Sequence, residues 1–528
     1  MNKLLLSTSL LLFSCLKEGV GPLMPAPQPE LEKKAVVSLN TTYQTIHSFG
    51  ASDCWTAKFI GTWADEVKKN QIADLLFSTD TTASGQPRGI GLSLWRMNIG
   101  AGSFEQGDAS NITDEWRREE SFLNAQGQYD WSKQAGSQWF LNAARQRNVP
   151  YTLGFSISAP VFMTVNGKAF SPGGGSLNIE PVRLDDYADF LAEVSSHFGF
   201  KYLSPINEPQ WDWKAGTNGK ASQEGTPAQN SDIINLTKAL SRKLSAKNSK
   251  ISVITGEAGQ LNFLYERAAS GRGNQLAQLF GNSGASLASL PNVAPVMSYH
   301  SYFTTCDDAN LVNTRQMALQ AAQSAGSPDL WQTEFGVLGD VCGKYNGSPR
   351  NTGIDYGLYV AKVIHSDLTL TNVTSWQWWL AMSPYNYSDA LVYINGPDGE
   401  YKNHDNARKS GLVLDSKQLW AFGNFARFVR PGMKRVGVQL ENNTDPVAQA
   451  GSYMVSAYKD EATKKIVLVA VNMTDAAVSL SLSGVTLKNN QLAAYTTDRD
   501  RSLAKSTVAG DKIQMAPKSV TTLVGYYN

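Results

Sequence analysis

Between residues 46 and 381 the chain repeats one pattern eight times: a short apolar run, then a stretch with helical periodicity. The runs are IHSFGAS (46–52), IGLSLWRMNIG (90–100), YTLGFSIS (151–158), KYLSPIN (201–207), ISVITGE (251–257), APVMSYHSY (294–302), LWQTEF (330–335) and VTSWQWWLA (373–381). Amphipathic stretches such as 131–147, 184–197, 231–244 and 356–370 separate them. Connections of that length return through a right-handed crossover, which forces parallel pairing. Eight such units predict an α/β fold, a (β/α)8 TIM barrel with long loops. A doubly wound sheet is the rival, but no Gly-rich phosphate loop follows any of the runs.

After Arg430-Pro431-Gly432 the apolar period becomes two, in GSYMVSAYK (451–459), KIVLVAVNM (465–473), AVSLSLSG (477–484), LAAYTTD (492–498) and SVTTLVGYY (519–527). This predicts a C-terminal antiparallel β-sandwich, to which AVVSLN (35–40) adds an N-terminal strand. At the other end, Lys3 precedes an apolar run, Leu4 to Phe13, too short to cross a ~30 Å hydrocarbon core. It suits the apolar region of a secretory signal, and Leu12-Phe13-Ser14-Cys15 resembles a bacterial lipobox whose Cys15 becomes lipidated. The alternative is an ordinary signal peptide with an incidental cysteine. Pro22–Pro29 then forms an extended tether. The expected layout is therefore a signal (1–15), a tether (16–34), a sandwich strand (35–45), the barrel (46–431) and the sandwich (432–528). The expected location is an outer-membrane lipoprotein.

Forty-seven Lys+Arg against 46 Asp+Glu leave a net charge of +1, which argues against nucleic acid as a partner. A 42% hydrophobic content excludes a disordered chain. The 13 Trp, 20 Tyr and 44 Gly suit a binder of uncharged polar molecules, carbohydrate first among them. Of the three cysteines beyond Cys15, Cys306 and Cys342 lie in Gly/Asp/Asn-rich loops and are expected to pair; Cys54 sits in an apolar segment and is expected to stay a buried thiol.

Chemistry in such a barrel belongs where strands end. The fourth run leads into Asn207-Glu208-Pro209, followed by Gln210, Trp211, Asp212 and Trp213; the seventh ends at Glu334. Two carboxylates on nearly opposite strands are what glycosidic hydrolysis requires, one to protonate the leaving oxygen and one to act at the anomeric carbon. The bland alternatives are a helix-capping Glu208 and a surface ion pair for Glu334. A Glu between Asn and Pro, ahead of amide and aromatic side chains, suits neither.

These motifs resemble glycoside hydrolase family 30. The matching stretches are SFGASDCW (48–55), RMNIGAGSFEQG (96–107), SPINEPQWDW (204–213), YHSYF (299–303), WQTEFG (331–336), SWQWWLA (375–381) and LWAFGNFARFVRPG (419–432). Within the family NIGAGS, NEPQWDW and WQWWLA look most like the endo-β-1,6-galactanase branch. The resemblance implies Glu208 as acid/base and Glu334 as nucleophile of a retaining, double-displacement hydrolase acting on a β-linked polysaccharide.

The neighbouring residues are assigned around that pair. Arg96 should lie near Glu334 and keep it ionised, Asn207 should bond the hydroxyl beside the anomeric carbon, and His300 and Tyr302 should share the site face. Trp211, Trp213, Trp376 and Trp378 should offer flat faces to sugar rings, while Trp379, alternating away, should be core. Asp53 and Trp55 match the family's GASD segment and are expected to meet the sugar. Glu257 is either a substrate contact or a loop support, and Asn98, Ser156 and Gln377 are weaker candidates. Five scattered His, no HExxH and no G-x-S-x-G leave a hydrolase without metal or cofactor, expected to be a monomer. The competing readings are the same machinery on β-1,6-glucan or xylan, and a non-catalytic surface glycan-binding lipoprotein.

Overall fold

The computed structural model describes residues 31–268, 271–281 and 286–528. The signal segment, Cys15 and the tether as far as residue 30 lie outside the described residues. The first element is β1 (Leu31–Thr45), so residues 31–34, expected in the tether, already belong to a strand.

The eight expected barrel strands are present as β2 (Ser48–Ser52), β3 (Leu94–Asn98), β4 (Tyr151–Phe155), β5 (Tyr202–Ser204), β6 (Ser252–Ala258), β7 (Val293–His300), β8 (Asp329–Glu334) and β9 (Ser375–Ser383). They pair in parallel in chain order, and β9 closes the barrel by pairing with both β8 and β2. β10 (Ala390–Asn395) continues parallel to the upper half of β9, and β11 (Leu412–Leu414) pairs antiparallel with β10. Crossover helices include Glu66–Phe77, Ala135–Gln146, Leu184–His197, Asn230–Ala246, Asp308–Ser324 and Ile354–Leu370. Asp65 and Asp307 cap two of them, accepting from the amides of Lys68 and Asn310. Among the described residues between β6 and β7 the one α-helix is the short Gln275–Leu279, where Gly271, Gly273 and Gly281 flank the helical run.

The second sheet comprises β1, β12 (Lys434–Leu440), β13 (Tyr453–Asp460), β14 (Lys465–Asn472), β15 (Val478–Ser483), β16 (Gln491–Thr497), β17 (Ala504–Ala509), β18 (Lys512–Met515) and β19 (Ser519–Tyr526). Its order is β17-β16-β19-β14-β13-β12-β1-β15-β18. It departs from the expected all-antiparallel arrangement at one pair: β1 runs antiparallel to β12 but parallel to β15. In β14, Ile466, Leu468 and Ala470 join this sheet's own core, while Val467, Val469 and Val471 join the core of the barrel and its helices. Burial on both faces explains why KIVLVAV reads as a continuous apolar run. Ile354–Leu370, between barrel and second sheet, is accordingly buried almost all round.

Cys306 and Cys342 are bonded, with Cα atoms 6.0 Å apart, and tie together the loops that follow β7 and β8. Cys54 is a free, buried thiol. Among the described residues no helix is long and apolar enough to cross a membrane.

Candidate active site

The carboxyl ends of the barrel strands converge on one buried charge cluster. Glu334 and His300 are the last residues of β8 and β7, Glu257 is next to last in β6, Arg96 lies at the centre of β3, and Glu208 follows β5. Glu208 and Glu257 both have φ of 46°, a left-handed backbone uncommon for Glu. The Glu208 amide donates to the Glu257 carbonyl at 2.9 Å, so the two turns brace each other.

Arg96 lies against the Phe155 ring, its guanidinium carbon 3.7 Å from the centroid. Its Nη1 donates to Glu334 Oε2 at 2.9 Å, and its Nη2 to Asn207 Oδ1 at 2.9 Å and Glu257 Oε2 at 3.3 Å. Tyr302 donates to the other Glu334 oxygen at 3.2 Å. His300 bonds Glu208 Oε1 through Nδ1 at 2.8 Å and Glu257 Oε2 through Nε2 at 2.9 Å. One oxygen of Glu208, one of Glu334 and a ring nitrogen of His300 lie within 4.8 Å of one another. That is the size of a cation site, but the donor set does not fit a metal. His300 spends both ring nitrogens on carboxylates, and Arg96 already brings positive charge to Glu334.

The groups hold protons instead. Burial works against the His300 cation, yet Glu334, Glu208 and Glu257 overcome it and push the imidazole up to about 10. Burial likewise works against an ionised Glu257, but Arg96, His300 and Thr333 hold it down to about 2. For Glu334 burial prevails: its carboxyl sits above the ordinary range, pulled down by His300 and Arg96 and pushed up by Glu208. Arg96 lies beside Glu334 as expected and favours its ionised form, but burial outweighs that pull. Three carboxyls face two cations, so with every group ionised the cluster would hold one uncompensated buried negative charge, which is costly.

The structure thus brings Arg96, Asn207, Glu208, Glu257, His300, Tyr302 and Glu334 into one connected set. Glu257 offers nothing to a substrate: Ser204, Thr333, His300 and Arg96 occupy its oxygens, and it is 1% exposed. Asp53 is also buried, its carboxylate accepting from the Asn98 amide at 2.9 Å and so pinning the ends of β2 and β3. The side-chain amide of Asn98 and Nε1 of Trp55 are buried without hydrogen-bond partners among the described residues. Ser156 supports a loop, accepting from the Tyr187 hydroxyl, and Gln377 bonds Ser375 inside the barrel. Trp211 stands edge-on to Phe263 and Phe303 in a half-exposed wall, and Trp213 donates to the Glu208 carbonyl at 3.0 Å.

Trp376 and Trp378 do not offer faces to a sugar. Both are fully buried, Trp376 bonded to Asp367 on Ile354–Leu370 and Trp378 to the Asp389 carbonyl. Trp379 lies in the buried core within the barrel, as expected, and there meets Trp55 edge-on at 5.3 Å and lies 6.0 Å from the Arg96 guanidinium. The cause is the phase of the alternation: Gln377 and Trp379 share the inward face of β9, so Trp376 and Trp378 face the helices, and the register shift opposite Ala51 and Ser52 falls after Trp378. Phe155, beneath Arg96, was missed, although it ends β4 on the mouth side.

Known proteins share this fold. A structure described as a conserved exported protein from Bacteroides fragilis is 32% identical, with a TM-score of 0.86 over 93% of this chain and 100% of that one. The catalytic domain of a family 30 xylanase C from Talaromyces cellulolyticus is 21% identical, with a TM-score of 0.65 over 93% and 99% of the two chains. An endo-β1,6-glucanase is 15% identical, with a TM-score of 0.64 over 94% of each. The model of O-Glycosyl hydrolase family 30 matches residues 32–393. The chain belongs to O-glycosyl hydrolase family 30.

Proposed function

We propose that this protein is a retaining endo-β-1,6-galactanase, cleaving galactan side chains by double displacement. The observation that carries the stereochemistry is the spacing of the two carboxyls. Oxygens of Glu208 and Glu334 within 4.8 Å suit the ~5–5.5 Å separation of retaining enzymes, whereas inversion needs ~6.5–9.5 Å to admit a water. Glu334, bonded by Arg96 and Tyr302, is the proposed nucleophile, and Glu208, bonded by His300, the proposed acid. Glu334 attacks the anomeric carbon while Glu208 protonates the departing oxygen. Forming the glycosyl ester removes the charge on Glu334, and Glu208, now ionised, takes a proton from the incoming water. Asn207, oriented by Arg96, bonds the neighbouring sugar hydroxyl. Trp55 and Trp379 border the site on one side and Trp211 on the other, offering apolar surface to sugar C–H faces.

Galactan is chosen on NIGAGS (98–103), NEPQWDW (207–213) and WQWWLA (376–381). A pure glycan-binding role fits poorly, because binding needs no opposed pair of buried acids. Cys15 is the proposed lipid attachment point, in keeping with the exported relative. The test is hydrolysis of a panel of β-linked galactans, glucans and xylans, with the fresh product followed by proton NMR before mutarotation. The β anomer should appear first, from β-1,6-galactan. Initial α anomer excludes double displacement, and preference for glucan or xylan overturns the substrate.

A further inference from the structure

Glu257 takes no part in the displacement, yet no side chain in the cluster is more fully engaged. Its Oε1 accepts from Ser204 Oγ on β5 at 3.0 Å. Its Oε2 accepts from Thr333 Oγ1 on β8 at 2.8 Å, His300 Nε2 on β7 at 2.9 Å and Arg96 Nη2 on β3 at 3.3 Å. Its amide donates to Ser298 Oγ at 3.0 Å. Donors from four other strands thus meet on one carboxylate, and none comes from the cleft.

We propose that Glu257 is a positioning residue that sets the number of protons carried by the Glu208–Glu334 pair, acting through His300 and Arg96 and touching no substrate. The inference deepens the double-displacement reading and rests on it. Its basis is a charge count. Arg96 and His300 contribute two positive charges and Glu257 one negative, so the fixed groups sum to one positive charge. A Glu208–Glu334 pair holding one proton balances that sum, and this is the state in which one member is an acid and the other a nucleophile. Without the Glu257 charge the fixed groups sum to two positive charges, and the pair gives up its proton more readily. The remaining groups facing the set are Tyr302, just past β7, and, at longer range from Arg96, Asp53 and Cys54, just past β2. None of these can replace the charge of Glu257 on His300 Nε2, since that nitrogen is bonded to Glu257 alone.

The variant E257Q keeps the size and one accepting oxygen for Thr333, His300 and Arg96. It replaces the charge and the second oxygen by an amide to which the Ser204 hydroxyl can turn as acceptor while donating to the Ile206 carbonyl. The alkaline limb of its pH profile for kcat/KM should move to lower pH by about one unit or more. At neutral pH it should lose at least about tenfold on a glycan, whose leaving alkoxide needs a proton. It should lose far less on a dinitrophenyl glycoside, whose leaving group needs none. E257D, which restores the charge, should return the limb towards the parent. H300N removes a positive charge instead, so its limb should move to higher pH; this opposite sign keeps the test decisive if E257Q does not fold. Limbs that coincide with the parent, or activity lost equally at every pH and for both leaving groups, overturn the inference. A parent enzyme that hydrolyses no glycan, or inverts, defeats the functional reading instead.

Discussion

At the scale of single residues, Glu208 and Glu334 differ in what surrounds them more than in their place in the barrel. Glu334 accepts from Arg96 and Tyr302, whereas Glu208 faces His300. Replacing either by Gln should lower turnover at least about a thousandfold while leaving thermal unfolding close to the parent, because each change removes one of the two proposed reacting groups. Azide should partly rescue Glu334→Ala and give an inverted glycosyl azide; with Glu208→Ala the azide product should keep the β configuration. Normal hydrolysis by either Gln variant would remove that residue from the mechanism. Both acids were legible in the sequence because local neighbours mark them: Asn207 and Pro209 about one, a strand end at the other. Glu257 was legible only as a strand-end acid. Its partners Ser204, Thr333, His300 and Arg96 are far apart in the chain, and no spacing rule brings them together.

At the scale of elements, period and length sufficed to place all eight barrel strands, since each is a short apolar run between helical stretches. Facing within a strand was less secure. In β9 every residue from Trp376 to Met382 is apolar or amide, so the sequence does not show which parity points inward; Gln377 and Trp379 do, which is why Trp379 and not Trp376 or Trp378 borders the site. Nor does the sequence show which helix holds which strand end. Asp367, on Ile354–Leu370, pairs with Arg315 at 2.7 Å, accepts from Trp376 Nε1 at 2.8 Å and from Ser301 Oγ at 3.0 Å. Ser301 lies between His300 and Tyr302, so this buried acid holds the end of β7 from behind. Asp367→Ala leaves Arg315 buried and unpaired, and should cost about 3–5 kcal/mol of stability. It should also lower kcat by about tenfold or more, by loosening the two side chains beside Ser301. Denaturant titration and steady-state kinetics measure the two effects; a variant as stable as the parent would show that Arg315 finds another partner.

At the scale of the whole molecule, the two sheets are held by both ends of the chain. β1 precedes the barrel yet pairs with β12 and β15, which follow it. Its pattern KKAVVSLN, half polar, shows a strand but not a partner, so this clamp was legible only as a possibility. The proton balance of the folded molecule is likewise a property of many sites. Burial raises Asp53 and Glu224 to about 7, Glu119 to about 8 and Asp389 to about 6. Burial lowers His47 to about 4 and His365 to about 3. A carboxyl raised on folding contributes stability while protonated in the fold and loses it as pH rises through the folded value. A His lowered on folding works in the opposite sense, but only below about 6.5, where the unfolded ring takes up a proton. From pH 4 to 6.5 the two sets oppose each other. Above 6.5 the His term is spent, while Asp53, Glu224 and Glu119 still shed protons that the unfolded chain has already lost. His300, raised to about 10, acts in the same direction, and Lys58, lowered by burial near Glu119, acts against them. Each proton held only by the folded state is worth about 1.4 kcal/mol per pH unit. Thermal unfolding at constant ionic strength should therefore show Tm falling between pH 6.5 and 8.5. Glu119→Gln and Glu224→Gln should each flatten that fall, since an amide in the same place has no proton to lose. A Tm that stays level or rises across this interval in the parent would show that these buried acids do not hold their protons in the fold.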